Sequence, residues 1–364
     1  MKVLILSNAS SVHTVRIANG LAARGLDVHV ASIHEFSTDF HTSIKKHPAP
    51  LRGRFGYILN APWLHMLCRR LRVDVINAHY LSGYGTLATL ALVHPLVVTS
   101  WGSDIYAFPT KSRLHRALIK LVLKRADSAY TTGFYSKRAQ EALCPKPCAV
   151  IPFGVDVEEM THINADPAAK TPFAQGDFIM GIFKHLYSFY GQEEAIDVLA
   201  MLKKRFPGRA IRLVLVGDGP DQKRFEDYAD KLGVRTDVHF AGQVSHLEMP
   251  YYQNILSTYL VASQNESLCV AALESGACGK PVVANRVGEL PCIIRDGWNG
   301  FLVAPYKADE MADAVAKLVA DPTLAATMGQ NGREHVHSTY NWQNSLDHMV
   351  RFLNDASNPH AKAA

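Results

Sequence analysis

The sequence predicts an α/β protein of two doubly wound domains, each a parallel sheet with helices on both faces. Three observations predict it. Strand-like and helix-like stretches alternate along nearly the whole chain, the pattern of parallel strands joined by crossover helices. The alternation lapses once, over residues 161–176, where Pro, Ala and Asp replace any apolar period and a linker is expected. A length of 364 residues also exceeds what one core usually serves. The expected division is a Rossmann-like domain at 1–160, a second at 177–340, and a closing helix with a tail at 341–364 that packs back toward the first domain.

The first domain opens with an apolar strand at residues 3–6, a polar loop at 7–11, a helix at 12–23 closed by Gly25, and a strand at 28–32, together one βαβ unit. Apolar runs place further strands at 73–78, 96–100, 128–132 and 149–152, with helices near 84–93, 112–124 and 135–143. Residues 35–62 carry no readable pattern and are expected to be loops on the acceptor side. In the second domain strands are expected at 178–183, 211–216, 238–240, 255–263 and 281–284, and helices at 192–206, 221–232 and 246–253. Helices near 308–319, 323–339 and 342–354 end the chain. Such sheets bind ligands at the carboxyl ends of their strands, so a ligand is expected in a cleft between the domains.

Hydrophobic residues make up 48% and charged residues 20%, the composition of a soluble globular protein. The opening Met-Lys-Val-Leu-Ile-Leu-Ser-Asn is too short an apolar run for a signal peptide and has no cleavage-type site. No stretch reaches the roughly 20 apolar residues that span a bilayer, so a cytoplasmic protein is expected. Cys68, Cys144, Cys148, Cys269, Cys278 and Cys292 form no Cys-x-x-Cys pair and read as reduced, structural thiols. The 17 histidines include no metal-binding spacing, and no metal is expected.

Charge is divided unevenly. Residues 1–150 hold 19 Lys and Arg against 7 Asp and Glu, a balance of +12, while the rest hold 19 against 26, a balance of −7. Lys111, Arg113, Arg116, Lys120, Lys124 and Arg125 lie on one expected helix beside an apolar stripe of Leu114, Leu118, Leu121 and Val122. That is the character of a helix drawn to the anionic inner face of a membrane, the alternative being a solvated helix packed by its stripe. No nucleic-acid motif accompanies the charge, and no such partner is expected.

The chemistry concentrates in residues 265–281. Ser267 reads as a helix N-cap, residues 268–273 as the first two turns, and Gly276 or Gly279 with Pro281 as the stop. Glu266 then precedes the helix and Glu274 lies two turns inside it, around N–H groups that suit a phosphate. Either carboxylate is able to accept hydroxyl hydrogen bonds; the plainer alternative is that Glu266 complements the helix dipole and Glu274 is solvated. Lys184, at the end of the strand 178–183, is placed to neutralise a diphosphate, the alternative being a solvated lysine. The turn from Gly217 to Pro220 reads as backbone geometry. The first strand ends in Ser7-Asn8-Ala9-Ser10-Ser11, which lacks the glycines of a dinucleotide fold, so an oxidoreductase is disfavoured. His13 and Arg16 begin the next helix, and His79 ends another strand; each has a surface or core role as its alternative.

In order and spacing the chain resembles the family 4 glycosyltransferases of GT-B architecture. The carriers are Val150-Ile-Pro-Phe-Gly-Val-Asp156, Leu215-Val-Gly-Asp-Gly-Pro220, Phe240-Ala-Gly242, Glu266 with Glu274, Gly279-Lys-Pro-Val-Val-Ala284, Gly288-Glu-Leu-Pro291 and Asp296-Gly-Trp-Asn-Gly-Phe-Leu-Val303. The resemblance covers nearly the whole length. It implies hexosyl transfer from a nucleotide sugar to a glycan or lipid-linked acceptor, with retention, in cell-surface polysaccharide or lipopolysaccharide synthesis. By it Glu266 contacts donor-sugar hydroxyls, Glu274 the ribose, and Lys184 the leaving diphosphate. Ser267, Leu268, Cys269 and Val270 offer backbone donors, and Gly217 joins the donor side; His13, Arg16, His79, Trp101 and Asp104 become acceptor-side candidates. With no Asp-x-Asp motif, neither metal nor other cofactor is implied.

Three departures stand out. Thr99-Ser100-Trp101-Gly102-Ser103-Asp104 puts tryptophan where many relatives have histidine, and tryptophan is no base. Phe189 and Tyr190 fill the place of a usual second lysine, and Glu289 that of a second glycine. A sugar-nucleotide epimerase or hydrolase, and a non-catalytic sugar-binding protein, are the competing classes.

Overall fold

The computed structural model describes residues 1–358; the end of the expected tail, residues 359–364, lies outside the described residues. The chain forms two compact units, Met1–Phe153 together with the stretch from Gln343 onward, and Gly154–Trp342.

In the first unit the elements run β1 (Lys2–Leu6), α1 (Val12–Ala23), β2 (Asp27–Ser32), β3 (Lys45–Pro48), α2 (Gly56–Leu59), α3 (Ala61–Leu71), β4 (Val75–His79), α4 (Thr86–Leu90), β5 (Leu96–Ser100), α5 (Ser103–Tyr106), α6 (Arg113–Arg125), β6 (Ser128–Thr131), α7 (Phe134–Leu143) and β7 (Ala149–Val150). The strands pair in the order β3-β2-β1-β4-β5-β6-β7, with every pair parallel. Central strands are buried on both faces, which is why Val3, Leu4, Ile5 and Leu6 form an unbroken apolar run.

Three expectations for this unit need correction. Residues 35–62 include the edge strand β3, whose exposed Lys45 and Lys46 give no apolar signal, and the start of α3, whose buried Leu64, Leu67 and Cys68 do keep a helical spacing. The helix expected at 84–93 is instead a π-helix at Tyr80–Gly85 followed by the short α4, and Leu92 closes it with a left-handed φ of 53°. The apolar stripe on α6 is split. Val122 is buried beside Ile119 and Leu123, whereas Leu114 is 81% and Leu121 44% exposed.

The second unit runs β8 (Phe178–Phe183), α8 (Gln192–Arg205), β9 (Ile211–Val216), α9 (Gln222–Lys231), β10 (Val238–Gly242), α10 (Met249–Ile255), β11 (Thr258–Val261), α11 (Val270–Ala277), β12 (Val282–Asn285), α12 (Leu290–Ile293), β13 (Gly300–Val303), α13 (Ala308–Ala320) and α14 (Pro322–Thr339). Its strands are parallel in the order β10-β9-β8-β11-β12-β13. The final helix, α15 (Trp342–Ser357), packs on the first unit. Leu346 covers Gly20, where a Cβ would come within 2.6 Å of its Cδ1, and Arg24 Nε donates to Asp347 Oδ1 at 2.6 Å.

Each sheet has one point where the winding reverses, between β1 and β4 in the first unit and between β8 and β11 in the second. Crevices at such points, beyond the carboxyl ends of the strands, are where open α/β sheets hold ligands.

Candidate active site

At the reversal point of the second unit, Lys184 follows β8 and Glu266 follows β11. Their side chains meet, Lys184 Nζ lying 2.7 Å from Glu266 Oε1, with side-chain exposures of 19% and 6%. The ammonium also stands over the Tyr190 ring, 5.2 Å from its centroid. Burial works against its charge, but the Glu266 carboxylate in contact with it outweighs that and its pKa is raised. Burial pushes the Cys269 thiol up to about 12, so it keeps its proton at neutral pH, and the ion-pair partner of Lys184 is Glu266.

Two glycines allow this meeting. Gly217 has φ of 136°, its N–H donates to Gly242 O at 2.8 Å, and a Cβ there would lie 2.2 Å from the Lys184 carbonyl. Gly288 has φ of 51°, and a Cβ there would lie 1.7 Å from the Glu266 carbonyl. No residue with a side chain fits either place while Lys184 and Glu266 stay where they are.

The helix start is corrected by two residues. α11 begins at Val270 with Cys269 in the N-cap position, and Ser267 does not cap it. The cause is that the Glu266 carbonyl accepts the Glu289 N–H at 3.4 Å and packs on Gly288, which holds residues 264–269 out of helical geometry. Leu268 and Cys269 are buried, while Ser267 and Val270 are partly exposed. The Ala272 and Leu273 N–H groups return to Cys269 O, so the donors left free of intrahelical acceptors lie at the very start of α11. Glu274 is the fifth helical residue, about one turn in rather than two.

A cavity of about 300 Å³ opens beside the pair, lined by Lys184, His185, Tyr190, Gly217, Gln243 and Met249 among others. Sequence reasoning did not assign His185, Tyr190, Gln243 or Met249 to the site. Their signal was positional: each follows a strand of the same sheet, in the loops or helices next to β8 and β10.

The first unit's reversal point gathers four of the five acceptor-side candidates and Phe153. His79 is fully buried; its Nδ1 bonds Ser7 Oγ at 3.1 Å, and burial lowers its pKa to about 3, so it is neutral. The Trp101 ring lies 4.8 Å from His79, 5.4 Å from Tyr80 and 5.1 Å from Phe153 between centroids. His13 stacks on Phe153 at 4.4 Å, and burial, with the Arg16 charge second, lowers its pKa to about 4. Asp104 is 1% exposed and accepts from the backbone N–H groups of Leu81, Trp101 and Gly102 at 2.9–3.0 Å. Asp104 and His79 are therefore closed off and position the loops around them. Arg16 is partly exposed on α1. Tyr80, missed in the sequence, is 37% exposed and has a left-handed φ of 66° at the head of the π-helix, a combination found at functional sites.

Among the described residues no three His, Cys, Asp or Glu side chains converge as a metal site, and no helix is long and apolar enough to cross a membrane.

Comparison with known proteins agrees with this architecture. Residues 166–335 match the family model described as glycosyl transferases group 1, and residues 2–132 the one described as glycosyl transferase 4-like. A GDP-mannose-dependent α-(1-6)-phosphatidylinositol monomannoside mannosyltransferase of Mycobacterium tuberculosis is 27% identical over 74% of this chain and 74% of its own length. An uncharacterized glycosyltransferase of Methanocaldococcus jannaschii is 23% identical over 88% of this chain and 87% of its own. Among solved structures, sucrose-phosphate synthase of Thermosynechococcus elongatus superposes with a TM-score of 0.81 at 18% identity, covering 98% of both chains. Anabaena HepE in complex with UDP and glucose also gives 0.81, at 20% identity, over 97% of this chain and 99% of that one. The chain thus belongs to the group 1, family 4-like glycosyltransferases of GT-B fold, and is an enzyme of that class.

Proposed function

We propose that this enzyme moves a hexosyl group from a nucleoside diphosphate sugar to a glycan or lipid-linked acceptor, with retention and without a metal ion, in cell-surface polysaccharide or lipopolysaccharide synthesis. The observation that carries this is the Lys184–Glu266 pair beside the free N–H groups of α11, at the reversal point of the second sheet. Breaking the bond between the anomeric carbon and the diphosphate oxygen adds one negative charge to the two the diphosphate already carries, and this developing charge must be stabilised. Lys184 supplies a buried, obligatorily charged ammonium, and the start of α11 supplies backbone donors, so the work of a cation falls to protein groups. Each charge-assisted hydrogen bond to the diphosphate is worth about 1.5–3 kcal/mol, roughly ten- to a hundredfold in donor affinity, and the part of it that strengthens as the bond breaks adds to the rate. Glu266 accepts from donor-sugar hydroxyls and Glu274 from the ribose, while Gln243, Met249 and Gly217 bound the pocket for the rest of the nucleoside.

Trp101 removes one route to a protein base in the first unit. A same-face displacement does without it, because the departing diphosphate oxygen lies beside the attacking hydroxyl and takes its proton. His13, Arg16, Trp101 and Tyr80 then shape the acceptor side. Support for the donor class comes from relatives: the mycobacterial enzyme is named for GDP-mannose and a phosphatidylinositol mannoside, and HepE was solved with UDP and glucose.

A membrane surface is the proposed place of action. α4 touches α2, α3 and α6, and this cluster exposes Ile58, Leu59, Met66, Leu90, Leu114 and Leu121 among cations of α6 that form no ion pair among the described residues. Apolar residues that remain wet beside lysines and arginines suit an anionic bilayer. Turnover of UDP- and GDP-sugars in EDTA, with and without a glycan or lipid acceptor, tests the whole proposal. Product formed only with acceptor supports transfer; nucleotide release independent of any acceptor identifies a hydrolase or epimerase.

A further inference from the structure

We propose that a second cavity, in the first unit, binds the phosphate diester of an acidic phospholipid; this rests on the membrane reading above for the source of the lipid. The cavity is about 560 Å³ and is walled by α5, the 3₁₀ turn Phe108–Thr110, the first turns of α6, and α7. Ile105, Pro109, Ala139 and Leu143 make its apolar floor, and Arg113 and Arg116 its cationic rim. The two arginines stand three positions apart, hence on one face of α6, and both are exposed. Among the described residues neither forms an ion pair, and no carboxylate lines the cavity; the nearby Glu141 is engaged by Lys137.

Two guanidinium forks over an apolar floor select an anion that carries an apolar tail. A bare phosphate leaves the floor wet, and a neutral amphiphile leaves the forks unpaired. The volume falls within the ~300–1,000 Å³ of small-molecule sites and accommodates a headgroup with the first carbons of a chain. Beyond the rim the same helix exposes Leu114 and then Leu121, with Lys120 and Lys124 beside them, which gives the chain an apolar track out toward a bilayer. The site is separate from the donor cavity, which lies in the other unit and contains none of these residues.

The test titrates the whole protein with dihexanoylphosphatidylglycerol below its micellar concentration, by calorimetry. Inorganic phosphate, glycerol phosphate and dihexanoylphosphatidylcholine are the comparison ligands. The phosphatidylglycerol monomer should bind at least roughly tenfold more tightly than any of the three. The double substitution Arg113→Gln/Arg116→Gln should weaken it by roughly ten- to a hundredfold while thermal unfolding stays unchanged. The substitution Lys120→Gln/Lys124→Gln should leave monomer binding intact and weaken only the binding of phosphatidylglycerol vesicles. Equal monomer affinity in wild type and the double arginine variant overturns the site. Phosphate binding as tightly as the lipid overturns the lipid assignment. Monomer binding that depends on the two arginines, in a protein that ignores vesicles, upholds the cavity and contradicts the membrane reading alone.

Discussion

Glu266 pairs with Lys184, and in the proposed reaction it also accepts sugar hydroxyls. Removing its charge affects both. Glu266→Gln keeps the shape, and transfer should fall at least roughly a hundredfold while the far-ultraviolet spectrum is unchanged. Near-normal transfer by this variant would remove Glu266 from the site. A second pair of residues makes a titration test. His79 is buried neutral with its pKa lowered to about 3, whereas burial raises the Asp104 carboxyl to about 6 against three backbone N–H bonds. Between pH 4 and 6 unfolded His79 takes up a proton that the folded protein refuses, so stability rises with pH. In the same window folded Asp104 keeps a proton that the unfolded chain releases, so stability falls with pH. Each slope is about 1.4 kcal/mol per pH unit, of opposite sign, and in the wild type they cancel. Chemical denaturation at pH 4, 5 and 6 should therefore show acid lability unmasked in Asp104→Asn and the reverse slope in His79→Gln. Parallel curves for all three proteins would contradict the buried charge states.

Strand and helix ends decide where those residues stand, and the glycines at Gly217 and Gly288 decide the ends. Gly288→Ala should be as damaging to transfer as a substitution of Glu266, although position 288 need touch no ligand, because a Cβ 1.7 Å from the Glu266 carbonyl forces that segment to move. Steady-state assay beside a melting curve checks this: the expected pattern is a large loss of kcat with a folded protein, and unchanged kcat contradicts the clamp. The elements themselves were unevenly legible. α1, β5, β8 and β9 have the bounds their apolar runs predict, since burial on one face or both leaves a clear period. β3 was invisible because an edge strand written Lys-Lys-His-Pro carries no apolar run, and α3 was missed although its spacing was present. The start of α11 was misplaced because Ser267 has the composition of a cap, whereas the segment's geometry is set by a long-range contact with Gly288.

Across the molecule, the part of the site that was legible is the part set by position in a sheet. Lys184 and Glu266 stand at strand ends, which a sequence reveals. Tyr190 over the ammonium, the cavity wall from Gln243 and Met249, and the direct Lys184–Glu266 contact depend on loops meeting in space, which no local pattern encodes. The uneven charge likewise acts at this scale. Binding to phosphatidylglycerol vesicles, followed by sedimentation, should weaken steeply as salt shortens the screening length from ~10 Å at 0.1 M to ~3 Å at 1 M. Binding indifferent to salt contradicts an electrostatic membrane face. Thermal unfolding with UDP- and GDP-sugars in EDTA, for wild type and Lys184→Gln, tests the claim that the reversal point of the second sheet holds the donor's diphosphate. The cognate donor at 100 times its dissociation constant should add about 2.7 kcal/mol to the wild type. It should add little to Lys184→Gln at the same concentration, and equal stabilisation of the two proteins would contradict the claim.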